Sequence, residues 1–529
     1  MANLQSTYDY IVVGAGAAGC VLAARLSEDP RVRVLLLEAG PARCPREARI
    51  PAAFSKLFKS PVDWNYSTEP EPHAHHRRLY WPRGKMLGGS TAINAMIYIR
   101  GNRLDYDHWK SLGNDGWGFA DVHPYFLKAE NQQRGASPYH GSGGPLCVSD
   151  LRYVNPLTQA FLAAAAELGI PANPDFNAAT QDGAGLYQVT QRNGQRHSAA
   201  DAYLRPAMKR PNLTVLTGAQ VTRVLLKASR AVGIEYAVDR STERADADRE
   251  VILCAGAVNS PQLLLLSGIG PPQELKPAGI SAVFDLPGVG KNLQDHPMVS
   301  VGYLSLQPVS MASAESLGNI LRYVCFRRGV LTSNVAEAGI FKRTRPGLHV
   351  PDLQLIFGPA YYVNHGFDTR KEHCFGFGPT LITPESRGEI TLRPANPLTA
   401  PVIRANYLST EADLRVIVEG VKLCREIAHT KSFAAYRGSE VLPGTAVSTD
   451  QALAEFVREN LQTLYHPVGT CKMGHDEMAV VDSQLRVRGI GGLRVADASI
   501  MPRIIAGNTN APTVMIAEKA ADLIRNAPI

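Results

Sequence analysis

Three glycines and a glutamate near the start of the 529-residue chain have the types and spacing to hold a phosphorylated ligand. Gly14, Gly16 and Gly19 form a GxGxxG turn enclosing Ala17 and Ala18, and Glu38-Ala39 follows at the end of the next apolar run. Gly14 permits a tight turn, Gly16 lets a pyrophosphate approach the main chain, and Gly19 lets a helix pack close to a strand. A helix starting there offers unpaired N–H groups and a positive dipole end to phosphates. Glu38 is placed to accept hydrogen bonds from an adenosine ribose, and its charge would repel a 2′-phosphate, which disfavours NADP. The turn alone does not separate NAD from FAD. A second glycine-rich loop, Arg83-Gly84-Lys85-Met86-Leu87-Gly88-Gly89-Ser90-Thr91-Ala92-Ile93-Asn94, runs into Ala95-Met96-Ile97. Such small residues let N–H groups lie against a flat or phosphorylated ligand, although an ordinary turn before a buried segment reads equally well. His73, His75 and His76 lack a fourth ligand at a recognisable spacing, so a solvated loop is expected there and no metal.

The elements that must position these groups follow from periodicity. Tyr10–Val13 and Val32–Leu37 are apolar, β-branched or leucine-rich runs of the kind buried in parallel sheets, and Cys20–Leu26 between them reads as a helix. This is a complete βαβ unit. The stretch from 40 to 82 is irregular. Phe161–Leu168 is helical, and strands are expected at 210–216, 221–226 and Glu250–Ala257. From about 300 to 475 strand-like segments such as Leu353–Phe357 and Glu389–Leu392 are joined by Pro/Gly/Asn turns, with helices at 411–429 and 450–460; this suggests an antiparallel sheet. Leu493–Ser499 is a strand carrying Asp497, and Pro512–Asn526 is a closing helix. A nucleotide-binding sheet thus starts at residue 10, is interrupted, and is completed late in the chain.

Length suggests roughly three domains. The net charge of +7 is dispersed without a basic run, so nucleic acid is not expected. Eight cysteines with no CxxC pair fit unpaired thiols in a reducing compartment. Asn3 to Thr7 leads almost at once into the first strand, no signal peptide is read, and no run approaches the ~20 apolar residues of a membrane span. A cytoplasmic protein, soluble or peripheral on the inner membrane, is expected. A serine hydrolase would need a GxSxG elbow, which is absent. A nicotinamide dehydrogenase would share residues 10–38 but has no use for the loop at 84–90 together with an Asp497 strand on the same ligand.

The chain resembles the glucose–methanol–choline (GMC) flavin oxidoreductases. The likeness is carried by Gly84 to Asp107, by Gly256-Ala257-Val258-Asn259-Ser260-Pro261 through Ser267-Gly268-Ile269-Gly270, and by His466–Thr470, Val495–Ser499 and Asn508–Thr513. It covers essentially the whole chain. It implies FAD and an α/β fold: a Rossmann-like FAD-binding domain (1–155 with the flavin-contacting loop 83–97, 206–305 and 466–529) and a discontinuous α+β substrate domain on an antiparallel sheet (156–205 and 306–465). Carried over by position, Gly14, Gly16, Ala17, Ala18, Gly19, Glu38 and Ala39 hold the ADP half, and Val221 presents its backbone to the adenine. Arg83, Gly84, Met86, Leu87, Gly88, Gly89 and Ser90 belong to the flavin-contacting loop. Asn94, Ala95, Met96 and Ile97 lie at the pyrimidine edge of the isoalloxazine. Ala255, Gly256, Asp497 and Ala498, with Asn510, Pro512 and Thr513, complete the set near the pyrophosphate and ribitol.

His466 and Asn510 fall at the family's catalytic pair, implying that His466 takes the proton of an alcohol while Asn510 holds the same oxygen as hydride leaves for flavin N5. Gly185–Arg196 and Leu331–Gly339 are most similar to the membrane-associated alkanol dehydrogenases of bacterial alkane oxidation, which pass electrons to the respiratory chain; choline dehydrogenases are less similar. The resemblance implies a primary alcohol with an apolar body, oxidised to the aldehyde with a quinone-like acceptor. An oxidase using O2, a choline dehydrogenase with a cage from Glu337, Tyr361 and Tyr362, and a lyase on the same scaffold are the alternatives. In Ile320–Leu331, apolar residues alternate with three arginines, a pattern suited either to an anionic membrane surface or to a half-buried helix. Ile93 stands where some relatives carry a flavin-linking histidine, so the FAD is expected to be noncovalent. Acid precipitation should therefore release all flavin as free FAD, and colour kept on the denatured pellet would show a covalent link.

Overall fold

The first apolar run folds as the strand Thr7–Val13, with its inner residues fully buried. It pairs in parallel with Val34–Glu38 on one side and Ser241–Leu253 on the other. The computed structural model describes residues 7–393 and 396–527; the N-terminal reading over Asn3–Ser6 lies outside them. Leu213–Thr217 adds a parallel strand beyond Val34–Glu38, and Leu493–Val495 pairs in parallel with Val251–Leu253. Five strands therefore end at one edge, delivering Gly14, Glu38, Ala219, Cys254 and Asp497 to it. That edge is where doubly wound sheets bind their ligands. Ser241–Leu253 is forked. Its polar first half pairs antiparallel with Arg230–Val238, which in turn pairs with Gln220–Lys227. Its apolar second half belongs to the parallel core.

The expected strand over Glu250–Ala257 ends at Leu253, and the helix Gly256–Leu266 starts at once. Asp497 causes the switch. Its Oδ2 accepts from the Gly256 N–H (2.8 Å) and Ser260 Oγ (2.5 Å), fixing the first turn of that helix. Asp497 itself lies past the last strand, which stops at Val495 rather than Ser499, and caps the short turn Ala498–Ile500.

The helix Ala17–Leu26 is apolar and almost wholly buried. It packs on the last helix, Asn510–Arg525, which starts two residues before the expected Pro512. Glu518 of that helix has no exposed surface, and its carboxylate takes Arg25 Nε (2.9 Å) and Nη2 (2.7 Å) together with Tyr203 Oη (2.8 Å). A buried carboxylate satisfied on three sides locks the two helices in register.

The second sheet is antiparallel, in the order Arg437–Leu442, Val301–Ser305, Cys374–Leu381, Leu353–Gly358, Ala338–Lys342, Gly183–Leu186. The helix Glu411–Ala428 covers it, started by Thr410, whose side chain accepts from the Asp413 N–H. The helix Pro156–Glu167 begins earlier than expected because Asn155 caps it, and Phe161 stacks on Phe357 at 4.7 Å. Glu389–Thr391 does not join this sheet; it forms a separate two-stranded ribbon with Val402–Arg404. Residues 40–82, read as irregular, contain two short 3-10 helices and the strands Tyr66–Ser67 and Tyr80–Trp81.

Candidate active site

One long cavity runs from the edge of the parallel sheet to the face of the antiparallel sheet. Its wall takes in Gly14, Gly16, Ala17, Ala18, Glu38, Ala39, Arg83, Gly84, Gly89, Ser90, Asn94, Ala95, Met96, Ile97, Val221, Ala255, Gly256, His466, Asp497, Ala498, Asn510 and Thr513. Gly19, Met86, Leu87, Gly88 and Pro512 lie behind that wall. Gly19 is there because of packing: a Cβ on it would fall 1.8 Å from the Gly14 carbonyl oxygen. Met86 and Leu87 belong to the apolar clusters beneath the loop.

At the sheet end, the two glycine loops touch. A Cβ on Gly89 would stand 2.7 Å from Gly16 Cα. Gly16 itself is open above, with nothing nearer than 3.9 Å to where its Cβ would be. This is a main chain bare on the cavity side at the start of a helix. Glu38 is buried, accepts from the Ala15 N–H (3.0 Å) and the Gly40 N–H (2.8 Å), and burial pushes its carboxyl up to about 7. Ile93 is on the wall as well.

At the far end, His466 sits in a loop whose N–H donates to Asp295 Oδ1 (2.7 Å). Asp295 is buried and also accepts from the hydroxyls of Tyr407 and Thr463. The His466 ring lies between His296, Nδ1 to Nδ1 at 3.0 Å, and Asn508, whose Nδ2 is 3.2 Å from Nε2. Burial first, then His296 and the Arg83 guanidinium, hold the His466 imidazole well below its usual pKa. It is therefore neutral at physiological pH. Asn510 is the first residue of the last helix, and its Oδ1 is buried on this wall without a partner. Met96, Val335 and Tyr465 line the cavity with φ of 59°, 70° and 72°. Such backbones cost about 1–2 kcal/mol each and gather at functional sites.

Several wall residues escaped the sequence reading. Phe54, Phe58 and Trp64 come from the stretch read as irregular, and Asn508, not Asn510, is the side chain bonded to His466. Asp295-His296, an acid–histidine pair before a proline, was the available signal for the frame behind His466. The cage proposed from Glu337 is not formed. Glu337 has no exposed surface, lies off the cavity, and is held by Ser333 Oγ (2.6 Å), Thr158 Oγ1 (2.6 Å) and the Asn155 N–H (2.8 Å). Among the described residues the carboxylates on the cavity wall are Glu38 and Asp497, both at the sheet end.

The family models for GMC oxidoreductases match residues 8–298 and 384–517. The chain belongs to the GMC oxidoreductases. It is 48% identical, over 99% of its length and all of the relative's, to an uncharacterized GMC-type oxidoreductase of Mycobacterium tuberculosis. It is 46% identical to an alcohol dehydrogenase [acceptor] of Pseudomonas putida (98% of this chain, 95% of the relative) and to mouse mitochondrial choline dehydrogenase (99% and 90%). Among solved structures, pyridoxine 4-oxidase from Mesorbium loti superposes with a TM-score of 0.91 at 33% identity, covering 99% of this chain and all of that one. The protein is thus a flavin oxidoreductase whose cofactor is FAD. The residues present fit that group: an open main chain over Gly16 for phosphates, a buried acceptor at Glu38 for a ribose, and the orphaned Asn510 Oδ1 further along.

Glu38→Ala would strip the Ala15 and Gly40 N–H groups of their acceptor as well as removing the ribose contact. FAD should then bind ~10–100-fold more weakly, the worth of one or two hydrogen bonds to a charged group. A fluorescence titration of apoprotein with FAD measures this, and unchanged affinity would take Glu38 out of the site.

Proposed function

We propose that the protein oxidises a primary alcohol with an apolar body to the aldehyde and passes the electrons to a quinone-like acceptor. The reading is carried by a neutral imidazole, His466, and the amide of Asn510, whose Oδ1 is without a partner, on the wall of one cavity with apolar sides. Bound FAD supplies the two-electron acceptor for the hydride. The rest falls to the chain's own groups. His466 Nε2 takes the hydroxyl proton as the C–H bond breaks, and the side-chain N–H of Asn510 donates to the same oxygen and holds it in place. Arg83, half-buried with Nη2 donating to the Tyr465 carbonyl (2.6 Å), opposes early protonation of His466. Phe54, Phe58, Val335, Ile356, Phe375 and Phe377 supply the apolar wall. With no carboxylate on the wall at that end among the described residues, a quaternary ammonium would have no carboxylate in contact, and this favours an uncharged alcohol over choline.

The acceptor half of the proposal draws on the helix Leu317–Phe326. Leu317, Leu321, Val324 and Phe326 are 73%, 53%, 59% and 70% exposed, and only Tyr323 is buried. This favours the membrane-surface reading of the stretch over the half-buried helix, because five large apolar side chains including Ile320 stand in solvent beside Arg322, Arg327 and Arg328. No helix among the described residues is long and apolar enough to cross a membrane.

His466→Ala should keep its FAD yet slow anaerobic flavin reduction by alcohol ~10²–10⁴-fold, the range for a positioned base. Asn510→Ala should also slow it, and the two losses should combine less than additively because both act on one oxygen. Near-normal reduction in His466→Ala would end its candidacy. For substrate and acceptor, catalytic efficiency is compared for medium-chain alkanols, benzylic alcohols and choline, each with a quinone analogue and with oxygen. Apolar alcohols with the quinone should lead; choline leading, or oxygen matching the quinone, would refute the assignment.

A further inference from the structure

We propose that His296 is a positioning residue that holds His466 in the tautomer carrying its lone pair on Nε2. The proposal rests on His466 being the base.

The two rings meet edge to face, their planes 89° apart and their Nδ1 atoms 3.0 Å from each other. At that distance a single proton lies between the nitrogens, since two lone pairs or two N–H groups would repel. Which ring donates is decided by what the other nitrogen of His466 meets. On His466, Nε2 faces the Nδ2 of Asn508 at 3.2 Å, an amide donor whose Oδ1 is turned to Gln354 Nε2 (3.4 Å). An N–H facing a donor is unfavourable, so Nε2 holds the lone pair and Nδ1 holds the hydrogen. On His296, Nδ1 is the nitrogen engaged by His466, and Nε2 is buried without a hydrogen-bond partner. The Asn508 contact thus sets the direction: His466 Nδ1–H donates and His296 Nδ1 accepts.

The arrangement has a chemical consequence. A free neutral imidazole distributes its hydrogen between the two nitrogens, and only one form presents a base to the cavity. His296 removes the unproductive form and then accepts the Nδ1–H of the imidazolium once Nε2 is protonated. It plays the part that a carboxylate plays behind the histidine of a hydrolase triad, without its charge. A neutral partner suits this site, because Arg83 and the bound substrate share a dry cavity and Asp295 already spends its carboxylate on the His466 N–H, Tyr407 and Thr463. Burial drives the His296 ring down to about 3, so it accepts the hydrogen bond without taking the proton. Its place is fixed from both sides. Gln294 pairs with Val468 through the backbone and accepts from the Ile504 N–H (3.1 Å), and Pro297 pairs with Thr463.

The holoenzyme is tested as wild type, His296→Leu, His296→Asn and His466→Ala, with FAD content and visible spectrum as the check on folding. In His296→Leu no acceptor remains. The limiting rate of anaerobic flavin reduction should fall ~10–100-fold at every pH, with little change in the alcohol concentration for half saturation, the effect of losing a histidine's orienting partner. His296→Asn places an amide oxygen near the old Nδ1 and should recover most of that rate. In wild-type protein labelled with 15N-histidine, the nitrogen shifts should show His466 protonated on Nδ1. A wild-type rate and pH profile in His296→Leu, no difference between Leu and Asn, or a His466 hydrogen found on Nε2 would overturn the role. If His466→Ala is slow while His296→Leu is normal, only the positioning role falls; if His466→Ala is normal, the base falls and the positioning role with it.

Discussion

The nucleotide end of this molecule depends on main chains lying closer together than a Cβ allows. Gly19 sits on the Gly14 carbonyl, Gly89 on Gly16, Gly84 on the Gly89 carbonyl, and Gly40 on the Lys85 carbonyl, each with room for a hydrogen only. These contacts fuse two glycine loops, separated by some seventy residues of sequence, into one floor. They also set the depth of the helix Ala17–Leu26 against its strand, and with it the direction in which the helix's free N–H groups point. Any side chain at Gly19 or Gly89 would separate the layers before it affected a ligand.

The alcohol end is held by a different device, polar bracing in a dry place. Asp295 ties the loop before His466 to Tyr407 and Thr463, and Gln294 ties it to the segment ahead of the last helix. Each buried donor and acceptor here would cost about 1–3 kcal/mol if left alone, so the bracing specifies one arrangement rather than many. Among the groups that remain without partners here are Asn510 Oδ1, on the cavity wall, and His296 Nε2, behind His466.

How far the sequence could be read follows from this contrast. The βαβ unit was legible because local spacing alone defines it: glycines at fixed offsets, a helical run, and an acid at the end of an apolar strand. The helices expected at 411–429 and 450–460 form over Glu411–Ala428 and Asp450–Asn460, where Thr410 and Thr449 cap them. The end of the strand before Ala255 was not legible, because it is imposed by Asp497, more than two hundred residues away. The ribbon at 389–391 was misplaced for the same reason; alternation announces a strand but not its neighbour. Within the site, glycine, His466 and Asn510 stood out by motif. Asn508 lay in the same motif as Asn510, but its bond to His466 and that of His296 went unread, since a bond between side chains 42 or 170 residues apart leaves no periodic trace. Glu337 looked available only because burial cannot be seen in a string of letters.

The late strand Leu493–Val495 gives the parallel sheet a consequence for biosynthesis. A ribosome delivers the phosphate floor first and Asp497, Asn508 and Asn510 last, hundreds of residues later. Until Leu493–Val495 docks beside Val251–Leu253, the forked strand keeps an apolar edge unpaired and the cavity lacks a wall. A chain that has not yet reached Asn510 therefore lacks part of the cavity wall. A full site for the flavin waits on the docking of this one short strand, which brings Asp497 to the sheet edge.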